Sequence, residues 1–250
     1  FARTYSGVEP IREPIPVQPT CHYMMGGIAA DADGKVIIDR EGTPFPGLYA
    51  AGECACVSVH GANRLGCNSL LVILVFGRRA GQEMRRYILP VGFSPLPADP
   101  EKEVADKIAA LMETTGDDTG GPIREELQEV MMDKVSVFRQ RSGLIEALEK
   151  VRELKGRYQK IAIQDKGSCF NRDLLDAIEL DYMLDLAEVI TLGALAREES
   201  RGAHSREDFP DRDDQNWLVH TMFRYSKEEG PQVFFKPVTI TRFQPKERKY

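Results

Sequence analysis

The longest run of apolar residues lies between Leu70 and Gly77. It follows Asn68 and Ser69, two residue types that favour helix N-caps, and the pattern turns polar from Arg78 onward. The first turns of this predicted helix are apolar on every side, whereas a surface helix would carry a single apolar face. We therefore expect the helix to lie buried between a sheet and another layer. A short strand from Leu48 to Ala51 is predicted to precede it in the chain.

Upstream of this helix the pattern predicts extended and β structure. Residues 1–19 are rich in proline and are expected to form turns and extended chain rather than helix. From Gly27 to Ile38, two β-prone arms flank an Asp-Gly pair, which predicts a hairpin. A second turn, from Thr43 to Pro46, is predicted to lead into the strand.

The pattern becomes helical after a segment rich in proline at 90–100. From 101 to 200, apolar residues recur at helical spacing among charged residues, which predicts an antiparallel bundle of three or four long helices. Pro122 suits the first helical position of one of them, and Ser142-Gly143 indicates a break. The last helix is predicted to begin after an N-cap at Asn171 and to end near Ser200.

The helical pattern stops at Arg201. The stretch from there to Trp217 is dense in charges of both signs, which predicts a salt-bridged connecting loop. Two alternating stretches, Trp217–Tyr225 and Gln232–Thr241, predict a pair of strands joined by a Ser-Lys-Glu-Glu-Gly turn.

Composition narrows the class of protein. The 250 residues are 42% hydrophobic, enough for a core, and the net charge of −6 without a long basic run argues against nucleic-acid binding. The longest apolar run is too short to span a bilayer, so direct membrane insertion is not expected. Five cysteines without a C-x-x-C pair favour a reducing compartment, and no cysteine or histidine spacing predicts a metal site.

Three motifs point to a family. His60-Gly-Ala-Asn-Arg-Leu-Gly-Cys-Asn-Ser-Leu-Leu71 follows PGLYAAGECA, an earlier stretch reads PIPVQPTCHYMMGG, and a later one reads ESRGAHSREDFPDRDDQNW. Together they resemble, in the same order, the C-terminal part of the flavoprotein subunit of succinate dehydrogenase and fumarate reductase. The resemblance implies an α/β fragment of an FAD-binding domain, followed by an α-helical bundle domain and a small β-containing C-terminal domain.

The resemblance and the changes in composition together predict four segments. Residues 1–20 would end a capping domain or connector, 21–95 would complete the FAD-binding domain, 96–205 would form the bundle, and 206–250 the small C-terminal domain. The dinucleotide fingerprint G-x-G-x-x-G is not found after a strand. The chain opens on Phe, so we expect it to begin inside a longer gene product, with the family's catalytic arginine upstream and this chain alone inactive.

Two residues are candidates for substrate binding. Arg64 lies among small residues, where a guanidinium can reach a carboxylate with two hydrogen bonds. By resemblance it clamps a carboxylate of the substrate. His22, followed by Met-Met-Gly-Gly, matches a histidine that binds the dicarboxylate near the flavin. From residue types alone, a histidine such as His22 is more often a packed or surface residue than part of a site, and Arg64 could equally be a surface arginine on a loop.

Three further residues match the family's FAD ligands. By resemblance, Glu53 accepts hydrogen bonds from the sugar-like chain of FAD, and the backbone of Ser69 and Leu70 contacts the flavin at the helix start. A helix N-terminus stabilises the negative charge of reduced flavin. Cys67 and Val72 depart from the family's usual glycine and acidic residue, and the glycine position is one where a positive φ is expected.

The resemblance also implies a reaction. The complete subunit would oxidise succinate to fumarate, or run the reverse, with FAD, and pass electrons to an iron–sulfur subunit and a quinone-binding membrane anchor. It would lie peripherally on the cytoplasmic side of the inner membrane. Two alternatives stay open: a soluble relative such as L-aspartate oxidase or an anchor-free fumarate reductase, and a non-catalytic helical interaction module.

Overall fold

The computed structural model describes residues 1–17 and 21–246. Its N-terminal part is built of short strands and one long helix: β1 (Ile28–Ala29), β2 (Lys35–Ile37), β3 (Pro44–Tyr49), β4 (Ala55–Cys56) and α1 (Asn68–Ile88). Four helices and a strand pair follow: α2 (Lys102–Glu113), α3 (Gly120–Val130), α4 (Arg141–Tyr158), α5 (Arg172–Ala196), β5 (Val219–Ser226) and β6 (Gly230–Pro237). This order confirms the fold class expected from the sequence.

The first residues are less extended than predicted for 1–19. Ala2–Ser6 form one π-helical turn that ends at Gly7, where φ is 64°. The prolines that disfavour helix begin only at Pro10, so they do not prevent a turn before it. Residues 18–20, which belong to the same predicted extended segment, lie outside the described residues.

The predicted Asp-Gly turn forms, but its arms pair mainly with other strands. The Gly34 amide donates to the Asp31 carbonyl at 3.0 Å, and Ala30 bridges Val36. Beyond that bridge, β1 runs parallel to β4, and β2 runs antiparallel to β3. The arms are too short to form a stable hairpin alone, and the strand predicted to start at Leu48 already begins at Pro44.

Helix α1 is much more exposed than predicted. Its N-cap is Cys67, with φ of 62°, rather than Asn68 or Ser69. The helix packs against the β2–β3 pair on one side, where a Cβ on Gly34 would come within 2.7 Å of the Ala80 Cβ. The opposite side is uncovered by the described residues: the exposed fractions are 60% for Leu70, 60% for Leu71 and 69% for Leu74. The expectation of a helix buried between two layers is therefore wrong for this chain.

The helical bundle is organised around the antiparallel pair α4 and α5, with α3 beside it. Its core consists of aliphatic side chains that are almost fully buried: Ile123, Leu127, Val151, Leu154, Ile161, Ile163, Leu180 and Leu184. Asn171 caps α5 as predicted, since its side chain accepts from the Leu174 amide at 2.8 Å. Pro122 is the third residue of α3 rather than the first, and Ser142-Gly143 lie in the first turn of α4 rather than in a break.

Strands β5 and β6 pair in register from Val219 with Pro237 to Ser226 with Gly230, close to the prediction. The pair packs on the end of α5, where a Cβ on Gly193 would come within 3.3 Å of the Phe223 ring. The Trp217 ring meets Phe235 edge-to-face at 5.5 Å. None of the helices in the described ranges combines the length and hydropathy needed to cross a membrane.

Candidate functional site

The loop between β4 and α1 carries Arg64 and holds it by several contacts. The Arg64 backbone amide donates to the Met25 sulfur at 3.1 Å. Its guanidinium lies over the Tyr23 ring, 4.7 Å from the centroid, and its Nη1 lies 3.3 Å from the Leu65 carbonyl and 3.5 Å from the Ser69 hydroxyl. The arginine is therefore held between the segment after residue 20 and the start of α1.

Arg64 and His60 both carry buried polar atoms that lack hydrogen-bond partners in the described part of the chain. The Arg64 Nε and both ring nitrogens of His60 are inaccessible to solvent and have no hydrogen-bond partner among the described residues. The His60 ring meets the Tyr23 ring edge-to-face at 5.2 Å. Burial, and then the charge of Arg64, lower the pKa of His60, so its imidazole stays neutral near pH 7. Buried donors and acceptors that lack partners in one place indicate a site for a polar ligand or for another part of the protein.

His22 is brought next to this site without touching Arg64. It is exposed and directly precedes Tyr23, the ring on which the Arg64 guanidinium rests. No hydrogen bond or ion pair among the described residues joins the two side chains that the sequence proposed for substrate binding.

Glu53 precedes β4, and Ser69 and Leu70 begin α1, so these three residues flank the Arg64 loop along the chain. The Glu53 side chain is exposed, and its Oε1 accepts from the Met24 amide at 3.0 Å. No side chain caps the N-terminus of α1, although the Asn68 and Leu70 amides donate to the Leu65 and Cys67 carbonyls, each at 3.1 Å. An exposed carboxylate can accept from hydroxyl groups, and a helix N-terminus attracts negative charge.

Sequence reasoning missed His60. His60 belongs to the motif around Arg64, but a histidine in a glycine-rich loop carries no signal of burial, so the sequence predicted no role for it.

The part of the chain that the structure describes contains no group of three or more His, Cys, Asp or Glu side chains arranged to hold a metal ion.

Comparison with known proteins identifies the family. Residues 124–250 match the family described as the fumarate reductase flavoprotein C-terminal region, and residues 1–70 match an FAD-binding domain. The chain belongs to the flavoprotein subunits of fumarate reductase and succinate dehydrogenase. The cofactor expected from the sequence, FAD, is that of the domain matched by residues 1–70.

Individual relatives of this flavoprotein family agree. The chain is 41% identical over 252 residues to a fumarate reductase flavoprotein subunit of Haemophilus influenzae, with 100% of the chain and 41% of the relative covered. It is also 41% identical to a succinate dehydrogenase flavoprotein subunit of Rickettsia bellii, with 96% and 41% covered. A solved Escherichia coli quinol fumarate reductase superposes with a TM-score of 0.87 at 37% identity, with 98% of this chain and 42% of that chain covered. The chain thus spans well under half the length of the relatives it matches.

Proposed function

We propose that the complete subunit containing this chain interconverts succinate and fumarate with FAD. Electrons would pass to an iron–sulfur subunit and a quinone-binding membrane anchor, with the flavoprotein peripheral on the cytoplasmic side of the inner membrane. The names of the relatives support the reaction, and the Escherichia coli relative, a quinol fumarate reductase, supports electron exchange with a quinol. The chain's own residues support the binding of a dicarboxylate.

The observation that carries the proposal is the state of the Arg64 guanidinium. Its Nε is buried and has no acceptor among the described residues, while Nη1 makes only long contacts of 3.3 and 3.5 Å. Leaving a buried charged donor without an acceptor costs roughly 1–3 kcal/mol or more. A substrate carboxylate can accept from the two Nη groups in a bidentate geometry that guanidinium favours, and so compensates the charge of this partly buried cation.

The neighbours of Arg64 prepare it for this role. Tyr23 stabilises the cation through its ring face without supplying a competing carboxylate. His60 stays neutral and therefore adds no second positive charge that would repel the guanidinium. We assign His22, exposed one residue before Tyr23, to the same substrate, where it would contact the second carboxylate.

Glu53, Ser69 and Leu70 are assigned to the cofactor. When bound, FAD supplies the two-electron chemistry at the C2–C3 bond of succinate. The exposed Glu53 carboxylate is oriented by the Met24 amide and would accept from ribityl or ribose hydroxyls. The backbone of Ser69 and Leu70, at the uncapped start of α1, would stabilise negative charge on the flavin. Arg64 would meanwhile fix the substrate's orientation, which is a large part of catalysis in a bimolecular step.

The decisive experiment replaces Arg64 in the complete subunit. We expect Arg64→Ala to lower kcat/KM for succinate on the order of 10²- to 10³-fold, because a charge-assisted bidentate contact is lost. Arg64→Lys keeps the charge but not the planar fork of the guanidinium. Its kcat/KM should lie between those of the unmodified protein and Arg64→Ala, nearer to Arg64→Ala. FAD content should stay at the level of the unmodified protein.

Two variants serve as controls. Glu53→Ala should lower FAD occupancy first and turnover only in consequence, whereas Arg85→Ala, at an exposed position on α1, should change neither. If Arg64→Ala kept its succinate turnover and lost its flavin, the arginine would be a cofactor ligand and the assignment would be wrong. L-Aspartate, tested as substrate in the same assay, separates succinate oxidation from the activity of an amino-acid oxidase.

A further inference from the structure

A tight turn in the connecting loop reaches across to the loop that carries Arg64. Arg201 and His204 exchange backbone hydrogen bonds of 2.8 and 3.0 Å, which closes the turn around Gly202 and Ala203. The Ala203 amide then donates to the carbonyl of Ala62 at 2.9 Å. Ala62 lies midway between His60 and Arg64, so the turn contacts the centre of the candidate site loop.

The approach is close enough to require glycine. Gly202 has φ of 59°, and a Cβ built on it would lie 2.6 Å from the Ala62 carbonyl oxygen and 3.0 Å from the Ala62 Cβ. Contacts this short with backbone atoms cannot be relieved by rotating a side chain, so the backbone of one loop would have to move. The two loops are therefore packed backbone against backbone.

The turn is fixed from behind by a buried carboxylate. Glu199 is fully buried and accepts from Arg197 Nε at 2.9 Å, from Arg201 Nε at 2.7 Å and from the Asp213 amide at 2.9 Å. Arg201 also reaches Asp214 at 2.7 Å. A buried charge held by several donors is a rigid support, because breaking any of these bonds leaves a polar group uncompensated.

A second contact holds the same site loop on its other side. The Ser58 hydroxyl lies 3.2 Å from Nε2 of His220 on β5. Thus Ser58 and Ala62, two residues on either side of His60, each contact the C-terminal part of the chain. Arg64 lies two residues beyond the second of these contacts.

We propose that the turn at Gly202 and Ala203 is a positioning element for Arg64. By holding the Ala62 carbonyl, it fixes the backbone that places the guanidinium over Tyr23 and aims it at a substrate carboxylate. Gly202 and Ala203 act through Arg64 and do not touch substrate. This inference rests on the proposed function for the role of Arg64, but not for the order that the turn imposes on the site loop.

The test compares Gly202→Ala with Gly230→Ala in the complete subunit within its complex. Gly230 also has a positive φ, 71°, but a Cβ there has no heavy atom within 4 Å. The two variants therefore share the backbone strain of alanine at positive φ and differ in the contact with Ala62. Four quantities are measured: KM for succinate, the inhibition constant of malonate, the FAD content, and amide hydrogen exchange over residues 58–67.

We expect Gly202→Ala to raise KM and the malonate inhibition constant on the order of 10- to 10²-fold, since small displacements of a positioning group cost this much. Exchange over 58–67 should become faster, while FAD content stays unchanged. Gly230→Ala should match the unmodified protein in all of these. Equal malonate inhibition and equal exchange in the two variants would overturn the proposal.

The experiment also distinguishes a variant that does not fold from a failure of the proposed function. If Gly202→Ala does not fold, Arg201→Lys is the milder variant, because it keeps the cation but cannot hold Glu199 and Asp214 together. Unchanged hydrogen exchange over residues 58–67 and an unchanged malonate inhibition constant in Arg201→Lys would overturn the proposal. If the unmodified subunit neither oxidises succinate nor binds malonate, the proposed function fails. The exchange comparison still decides whether the turn orders the loop.

Discussion

A neutral histidine lies near the start of the connecting loop. His204 Nδ1 accepts from Arg139 Nη1 at 2.6 Å, and its Nε2 donates to the Arg197 carbonyl at 3.2 Å, so its partners determine the tautomer. Burial, and then the charge of Arg139, lower the pKa of His204 to about 4. The folded protein therefore resists protonating a group that the unfolded chain protonates near pH 6.5.

The consequence is a loss of stability in acid. Between about pH 6.5 and 4, the unfolded state binds a proton that the folded state does not, so the free energy of unfolding falls as pH is lowered, by up to about 1.4 kcal/mol per pH unit. His204→Gln can accept from Arg139 and donate to the Arg197 carbonyl without titrating. We expect it to flatten the slope over this window in denaturation experiments at several pH values. An unchanged slope would show that His204 is protonated in the folded protein.

Helix α5 illustrates how one element carries two different environments. Leu180 is fully buried in the bundle core, whereas Leu186, further along the helix, is 58% exposed. The same residue type in the same helix is thus part of the core at one position and of the surface at the other. The charged face of α4 pairs with α5 through Glu188, which is bound by Arg152 and Lys155 at 2.9 and 2.7 Å.

The two leucines give a matched pair of truncations. Leu180→Ala should lower the free energy of unfolding by roughly 2–5 kcal/mol, because it removes buried methyl groups and leaves a cavity. Leu186→Ala should change it by no more than about 0.5 kcal/mol. Chemical denaturation of both variants measures the difference. Equal losses would mean that Leu186 is covered in the protein as it exists in solution, by a contact outside the described residues.

At the scale of the whole molecule, the outer face of α1 stands out. Leu70, Leu71 and Leu74 form an apolar surface that the described residues leave uncovered. On soluble proteins, a contiguous apolar surface marks a contact with another chain segment or with a partner. Such a surface promotes association when it is left uncovered. The chain spans 41% of the Haemophilus influenzae relative, so most of that relative's chain has no counterpart here.

We expect the isolated chain of 250 residues to self-associate through this face and to fail to bind FAD tightly. Sedimentation velocity should show aggregates or oligomers, and the double substitution Leu71→Lys with Leu74→Lys should reduce them by replacing apolar surface with charge. Leu186→Lys, at a single exposed leucine on α5, should not. A monomeric, stoichiometrically yellow protein from the unmodified chain would contradict both expectations.

Much of the architecture follows from local physics and was predictable. Residue types directly encode features that depend on neighbours close in sequence. These features are the Asn171 cap, the helical periodicity of the bundle, and the alternation in β5 and β6. The long motif around Arg64 also identified the family, since its residues are constrained together by one site. The roles assigned to His22, Arg64, Glu53, Ser69 and Leu70 remain predictions.

Other features depend on contacts between distant segments, and these the sequence could not supply. The parallel pairing of β1 with β4, the burial of His60 and the packing of Gly202 against Ala62 join residues far apart in the chain. The apolar pattern of α1 likewise shows a helix that needs covering layers but not which segments supply them. Sequence thus determined the elements and the family, while the tertiary structure decided which loop holds the candidate arginine in place.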